Sequence, residues 1–336
     1  MLFFSKALWG RPLGLRPTPS SAFGSRLDEQ PDQRVRRGRG RPPHGILLIS
    51  VALCTSLPAA DVHIGVFSLF RPVELRVSPV KTPILITTGD QHLTLEGHRS
   101  YLVRLHDVPF RVTGRNGSPT NFRLSIPGKI DRRFYGILNI TSNERKLRPV
   151  ITLDLELAVA SVVAAELTAS TPMEALKAQA VAARSFFAAS GPRHDDFEFC
   201  DTTHCQFLRE PPTQGTPAVR AAHDTSGLLL AYDGKPLPAL YSAACGGRTR
   251  SLDEPKTGYS YRAVDCDYCR RHNPGQVQGH QLGLCQSGAA AMAASGADFR
   301  AILDHYYPGA SIEQIAPRTG TAIFLLPHPA PLSHIK

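Results

Sequence analysis

The chain has 336 residues, 42% hydrophobic and 20% charged, and a formal net charge of +10. That composition is of an ordinary globule with enough apolar material for one large or two modest domains. Residues 1–44 hold nine Lys/Arg against three acids, so only +4 is left on the remaining chain; a charge so placed gives no case for a nucleic-acid partner.

The basic run "RVRRGRGRPPH" (34–44) leads into "GILLISVALCTSLPAAD" (45–61). A positive flank, a short apolar run and then small residues form the layout of a secretory signal. We therefore expect residues 1–60 to be a basic leader with a signal-like segment, and the exported protein to begin near residues 58–61, in the periplasm or cell envelope. The apolar run is too short for a stable membrane span. A buried strand behind a tail is the alternative.

From 61 to 150, short runs such as "VELRVS", "PILITT", "YLVRLH" and "GILNIT" are rich in β-branched residues and separated by Gly, Pro, Asn and Asp. They predict a β-rich subdomain. The expected class is α+β: a β-rich N-terminal part, then a helical and mixed catalytic region over 151–316 forming a cleft, then a Pro-rich tail over 317–336.

Asp154 is placed to cap a helix in which Leu155, Val159, Val162 and Glu166 share one stripe. A carboxylate on an apolar stripe is desolvated, which favours its protonated form and suits a general acid. A solvent-facing helix-end glutamate is the plainer alternative. A second helix is expected from Thr171, with Pro172 in its first turn and Glu174 closing a capping box. On it Lys177 and Arg184 lie seven residues apart, on one polar face. Beyond Ser190 loops and short strands are expected, with a hairpin at "YDGKPLP" (232–238), a helix over 286–295 and a short one within 298–309.

Six cysteines follow the leader. Cys200 and Cys205, with His194 and His204, offer a Cys2His2 ligand set suited to tetrahedral Zn2+, or else a Cys200–Cys205 disulfide. Cys245, Cys266, Cys269 and Cys285 can form a four-thiol cluster or two disulfides. The turn "GHQLGLCQ" (279–286) sets His280 and Gln286 ahead of an alanine-rich helix, a possible site for a sugar or carboxylate.

Three stretches, "VVAAELTASTPMEALKAQAVAARSFF", "YSAACGGRT" and "GHQLGLCQSGAAAMA", together resemble the stage II sporulation protein D (SpoIID/LytB) family in order and spacing, over roughly residues 130–310. The resemblance implies a peptidoglycan lytic transglycosylase acting on peptide-stripped glycan strands, with Glu166 as its acid/base and 1,6-anhydro-muramyl ends as product. Ser242, His280 and Gln286 are expected to bind substrate, and Lys177 and Arg184, one or both, to point toward the cleft, with a structural salt bridge at Arg184 as the equal alternative; the resemblance also implies zinc at His194, Cys200, His204 and Cys205. Lytic transglycosis needs one carboxylate, because the sugar's own C6 hydroxyl is the nucleophile; hydrolases need two. The family's third motif often reads G-H-G-x-G-M-S-Q, so Gln281 stands here for a glycine and Cys285 for a serine. A non-catalytic cell-wall module that activates an amidase is the alternative function, and a structural scaffold in an envelope complex a further one.

Overall fold

The computed structural model describes residues 61–314; the leader and the Pro-rich tail lie outside the described residues. The fold is α+β. Nine strands come first: β1 (Asp61–Gly65), β2 (Glu74–Pro79), β3 (Ile84–Thr88), β4 (Gln91–Leu95), β5 (Tyr101–Arg104), β6 (Phe110–Thr113), β7 (Thr120–Ile126), β8 (Ile130–Asn143) and β9 (Lys146–Asp154). With β10 (Phe199–Cys200) they make one ten-stranded sheet, in which β10-β1-β9-β8-β6-β3-β4 run in order and β7 carries β2 and β5 off β8. Buried and half-buried residues alternate along β7 and β9, the period-2 pattern of strands with one face in a core.

β8 bends the sheet. Its first half pairs with β7 and its second half with β9, the change falling between Gly136 and Ile137. Gly136 has φ +147°, and a Cβ there would lie 2.5 Å from Thr152 O. Only glycine lets the strand fold over its neighbour at that point.

Asp154 ends β9 and caps α1 (Leu155–Glu166), its Oδ1 accepting from Glu156 N at 2.9 Å and Leu157 N at 3.1 Å. Residues Leu157 through Val163 are all buried, so α1 is covered on every side rather than along a single stripe. α2 (Met173–Ser190) follows. The capping box expected at its start does not form: Pro172 is the N-cap, without a side-chain cap. Glu174 turns away to accept from Phe299 N at 3.0 Å and to pair with Lys177 at 3.0 Å. The carboxylate thereby ties the start of α2 to the start of α6 (Phe299–Tyr306).

The loops expected beyond Ser190 include two more helices, α3 (Pro217–Asp224) and the six-residue α4 (Asp267–His272). For α3 the sequence signal was Pro217 at the first helical position. The hairpin forms between β11 (Leu228–Tyr232) and Lys235–Pro236, across Asp233 and Gly234, both left-handed, the pattern of a type I′ turn. α5 (Gln286–Ala294) and α6 complete the helices. No helix among the described residues is long and apolar enough to cross a membrane.

Two apolar cores result. The first joins the large sheet to α1, α3 and one side of α2, through Leu176, Ala180, Ala183, Phe186 and Phe187. The second takes the other side of α2, Ala175, Ala178, Val181 and Ala182, against α5, α6 and the cysteine-bearing loops. α2 is their common wall.

Arg184 lies inside that wall with no exposed surface, forming a two-toothed ion pair with Glu156 and donating to Leu228 O at 2.9 Å and Ala222 O at 3.1 Å. Every donor is turned into the protein, so Arg184 is structural and cannot bind substrate from here. Removing one member of a buried pair strands the other. Arg184→Met should therefore cost about 3–5 kcal/mol in urea unfolding, with much of that recovered in the Glu156→Met/Arg184→Met double variant. A single variant as stable as wild type would show that the pair holds nothing together.

Candidate active site

Glu166 is the last residue of α1. Burial raises its pKa above the ordinary 4.5, and the hydrogen bond from Gln286 opposes that rise. Its place at a helix C-terminus, where the macrodipole is negative, also disfavours the charge. No second carboxylate contributes to the shift.

The carboxylate is held from one side. Gln286 Nε2 donates to Glu166 Oε2 at 3.1 Å and also approaches Gln179 Oε1 at 3.3 Å. Gln179 is fully buried on α2, and its own Nε2 has no acceptor among the described residues. Tyr241 stands close by: burial first, and then the nearby Glu166 charge, push its phenol well above its ordinary pKa. The Tyr241 hydroxyl donates to Gln206 Oε1, and Gln206 Nε2 donates to Ala183 O at 3.0 Å. Three separated segments thus meet around one glutamate.

The "YSAACGG" and "GHQLGLCQ" stretches meet as two short parallel strands, Tyr241 opposite Leu284 and Ser242 opposite Cys285. Ser287 N and Oγ both hydrogen-bond to Ala243 O, at 3.1 and 2.9 Å. Gly283 makes this pairing possible: at φ +62°, a Cβ would sit 2.0 Å from Leu240 O. Gln281, where the resembling family often has glycine, keeps a left-handed φ of +64°. Its Nε2 donates to Cys245 O at 2.8 Å, and its own carbonyl accepts from Arg250 N at 2.8 Å. Those bonds offset the roughly 1–2 kcal/mol that the left-handed region costs a residue with a side chain.

The site residues expected from sequence divide accordingly. Glu166 and Gln286 touch. Ser242 is buried beside them in the paired strands, without a direct bond to the carboxylate. His280 is exposed in the same loop, its Nδ1 accepting from Leu282 N at 3.0 Å, and burial of part of the ring with nearby Arg250 lowers its pKa from 6.5. Lys177 is not brought to Glu166; it is bound to Glu174 and lies 3.7 Å from Asp224. Lys177 and Arg184 are both engaged in ion pairs within the scaffold, because the polar face they share packs against protein. Gln179, Gln206 and Tyr241 went unforeseen; an amide among the alanines of "ALKAQAVAA" was the one available signal for Gln179.

Glu166 does not line the four cavities bounded by Phe197, Leu208, Tyr306 and Arg111.

The Cys/His group is assembled as its spacing suggested. His194 Nε2 is 3.3 Å from Cys205 Sγ, and His204 Nδ1 is 3.4 Å from Cys205 Sγ and 3.9 Å from Cys200 Sγ. A tetrahedron with metal–N of about 2.05 Å and metal–S of about 2.3 Å has N···S edges of about 3.6 Å. The four side chains therefore fit one metal ion. A hydrogen bond from Cys205 leads the causes that lower Cys200 to about 3, against burial. β10 carries Cys200 and pairs in parallel with β1, which fastens the group to the sheet.

Residues 143–232 match the family model described as Stage II sporulation protein, SpoIID. The match runs from the end of β8 through β11 and includes Glu166, α2 and the Cys/His group. Over that stretch the chain is similar to a family associated with cell-wall function. An uncharacterised protein of Brachyspira hyodysenteriae is 31% identical over 123 residues, covering 36% of this chain and 33% of the relative. The chain thus spans about a third of that relative's length.

Glu166→Gln tests the carboxylate's environment without substrate. With a folded-state pKa above the unfolded one, Glu166 favours folding most where it is protonated in both states, and that contribution is lost as pH rises through the folded value. Urea midpoints should show the Gln variant gaining on wild type from acid toward neutral pH. A gap that shrinks as pH rises would mean a carboxylate stabilised as the anion.

Proposed function

From the similarity to the SpoIID family and the geometry around Glu166, we propose that the protein is a peptidoglycan lytic transglycosylase acting on glycan strands stripped of stem peptides. One observation carries the reading: a desolvated carboxylate at the end of α1, oriented by Gln286 Nε2 at 3.1 Å. Lytic transglycosylation asks for that one carboxylate, whereas a retaining or inverting hydrolase needs two.

Protonated Glu166 donates its proton to the glycosidic oxygen, and the departing sugar leaves with it. The carboxylate then takes the proton of the C6 hydroxyl as that oxygen closes on C1, giving a 1,6-anhydro sugar and restoring the acid. Atoms balance without added water. Gln286 is a positioning residue: its amide holds one carboxylate oxygen and leaves the other for the substrate. Tyr241 and Ser242 line the same neighbourhood. His280 is exposed, and with Nδ1 accepting from Leu282 N its Nε2 is the nitrogen available to a sugar hydroxyl. The protein would act outside the cytoplasm, the leader serving for export.

The Cys/His group fits Zn2+ by donor chemistry as well as by distance: two thiols and two imidazoles at tetrahedral separations. His194, Cys200, His204 and Cys205 would hold it. Bound there, the ion supplies folding energy by tying the β10 loop to the sheet. Cys205→Ser should remove one zinc equivalent and lower the melting temperature. A wild-type protein with Cys200 and Cys205 joined in a disulfide would refute the zinc assignment.

The reaction is tested with denuded glycan strands. Acid/base catalysis contributes about 10²–10⁴-fold, so Glu166→Gln should lose at least that order of turnover while still binding strands. Wild type should release products with 1,6-anhydro ends by mass spectrometry. Binding without cleavage by wild type would favour the amidase-activating module, and a Gln variant of wild-type rate would refute the role of Glu166.

A further inference from the structure

Cys245, Cys266, Cys269 and Cys285 come from three separate segments, and all four are at most 2% exposed. Their sulfurs lie within 4.8 Å of one another. Cys285 Sγ is 3.5 Å from Cys269 Sγ and 3.9 Å from Cys266 Sγ. A tetrahedron with Zn–S bonds of about 2.3 Å has S···S edges of about 3.8 Å, whereas a disulfide brings its sulfurs to about 2.05 Å. Two disulfides would also divide the four sulfurs into pairs, and Cys285 here is near-equidistant from two of them.

A donor stands beside the sulfurs: the Tyr306 hydroxyl donates to Cys266 Sγ at 3.5 Å. Four thiolates around one dication carry a net charge of −2, and a hydrogen bond to a sulfur helps a buried site carry that charge. A cavity of about 480 Å3 adjoins the cluster, lined by Cys266, Gly288 and Tyr306 among others.

We propose that Cys245, Cys266, Cys269 and Cys285 form a structural four-thiolate Zn2+ site, separate from the Cys/His group, that fixes Gln286 against Glu166. Cys285 is the residue before Gln286 and is paired in register with Ser242, while Cys245 lies three residues beyond Ser242. One ion would pin the "YSAACGG" strand, the "GLCQ" strand and α4 at a common point. Gln286 leaves that point at the first position of α5, with Glu166 in reach. The site stands whatever reaction Glu166 performs.

The full chain is purified under reducing conditions and its zinc counted in wild type, Cys205→Ser and Cys269→Ser. One zinc should survive Cys205→Ser and be lost in Cys269→Ser. Should Cys269→Ser fail to fold, Tyr306→Phe keeps every ligand and should weaken zinc binding roughly 10- to 100-fold in chelator competition. Cobalt(II) loaded into Cys205→Ser should show thiolate-to-cobalt absorption of four-sulfur intensity. Hydrogen exchange with zinc stripped should quicken in peptides covering 240–247 and 283–289, while 130–154 stays protected. Zinc-free Cys205→Ser, or recovery of the four cysteines as two disulfides, would overturn the site. Bound iron instead of zinc would overturn the choice of metal. Unchanged exchange at 283–289 after stripping would overturn the claim that the ion positions Gln286.

Discussion

Everything in this molecule hangs on α2 being buried on all sides. A helix between two cores cannot present a polar face to water, so its surface is built of alanine, valine and phenylalanine, with four polar side chains fully enclosed or nearly so: Lys177 at the margin, then Gln179, Arg184 and Ser185. An unmet buried polar group costs about 1–3 kcal/mol, and Gln179 is met at Oε1 by Gln286 but not at Nε2. Arg184 meets Glu156 and two carbonyls; Ser185 Oγ donates to Val181 O at 2.6 Å and accepts from Leu230 N at 2.8 Å. Through these bonds α2 fixes α1, α3 and β11 at once. Small alanines let α1 and α3 approach closely enough for that to happen.

The position of Glu166 follows from the same constraint. α1 is packed on every side up to Val163, and only its last turn emerges, so the helix delivers a carboxylate at the boundary between core and surface. That boundary is where a carboxyl group can be desolvated enough to retain its proton and still meet a substrate. Gln179 reaches it from α2, and Gln286 from the first turn of α5. The site is therefore made where both cores abut, not within either one.

Local rules were legible and partner choices were not. The Asp154 cap, the Asp233–Gly234 hairpin and the placing of α1 and α5 depend on neighbours in sequence and stand as read, whereas α6, read over 298–309, spans only Phe299–Tyr306. Glu174 had the spacing of a capping box, yet a distant backbone N–H at Phe299 took its carboxylate. Lys177 and Arg184 had the periodicity of a polar face, which says nothing about whether that face meets solvent, substrate or another helix. Arg184 was decided by Glu156, 28 residues away, and α3 by packing against α1 and α2. Glu166 with Gln286 was reached through motif order rather than chemistry, since a hydrogen bond across 120 residues has no local signature.

Where this chain departs from the usual third motif, the two changes act on one structure. Cys285 in place of serine contributes a sulfur to the four-cysteine group. Gln281 in place of glycine holds the backbone in the left-handed form a glycine would take, and its amide binds the carbonyl of Cys245, another member of that group. Neither change makes sense by itself: a lone buried thiol adds little, and a glutamine at positive φ costs strain. Together they tie the "GLCQ" strand to the "YSAACGG" strand: the Gln281 amide binds Cys245 O at 2.8 Å, and Cys285 pairs in register with Ser242. The loop that bears Gln286 is thus held at Cys245 through Gln281 and at Ser242 through Cys285.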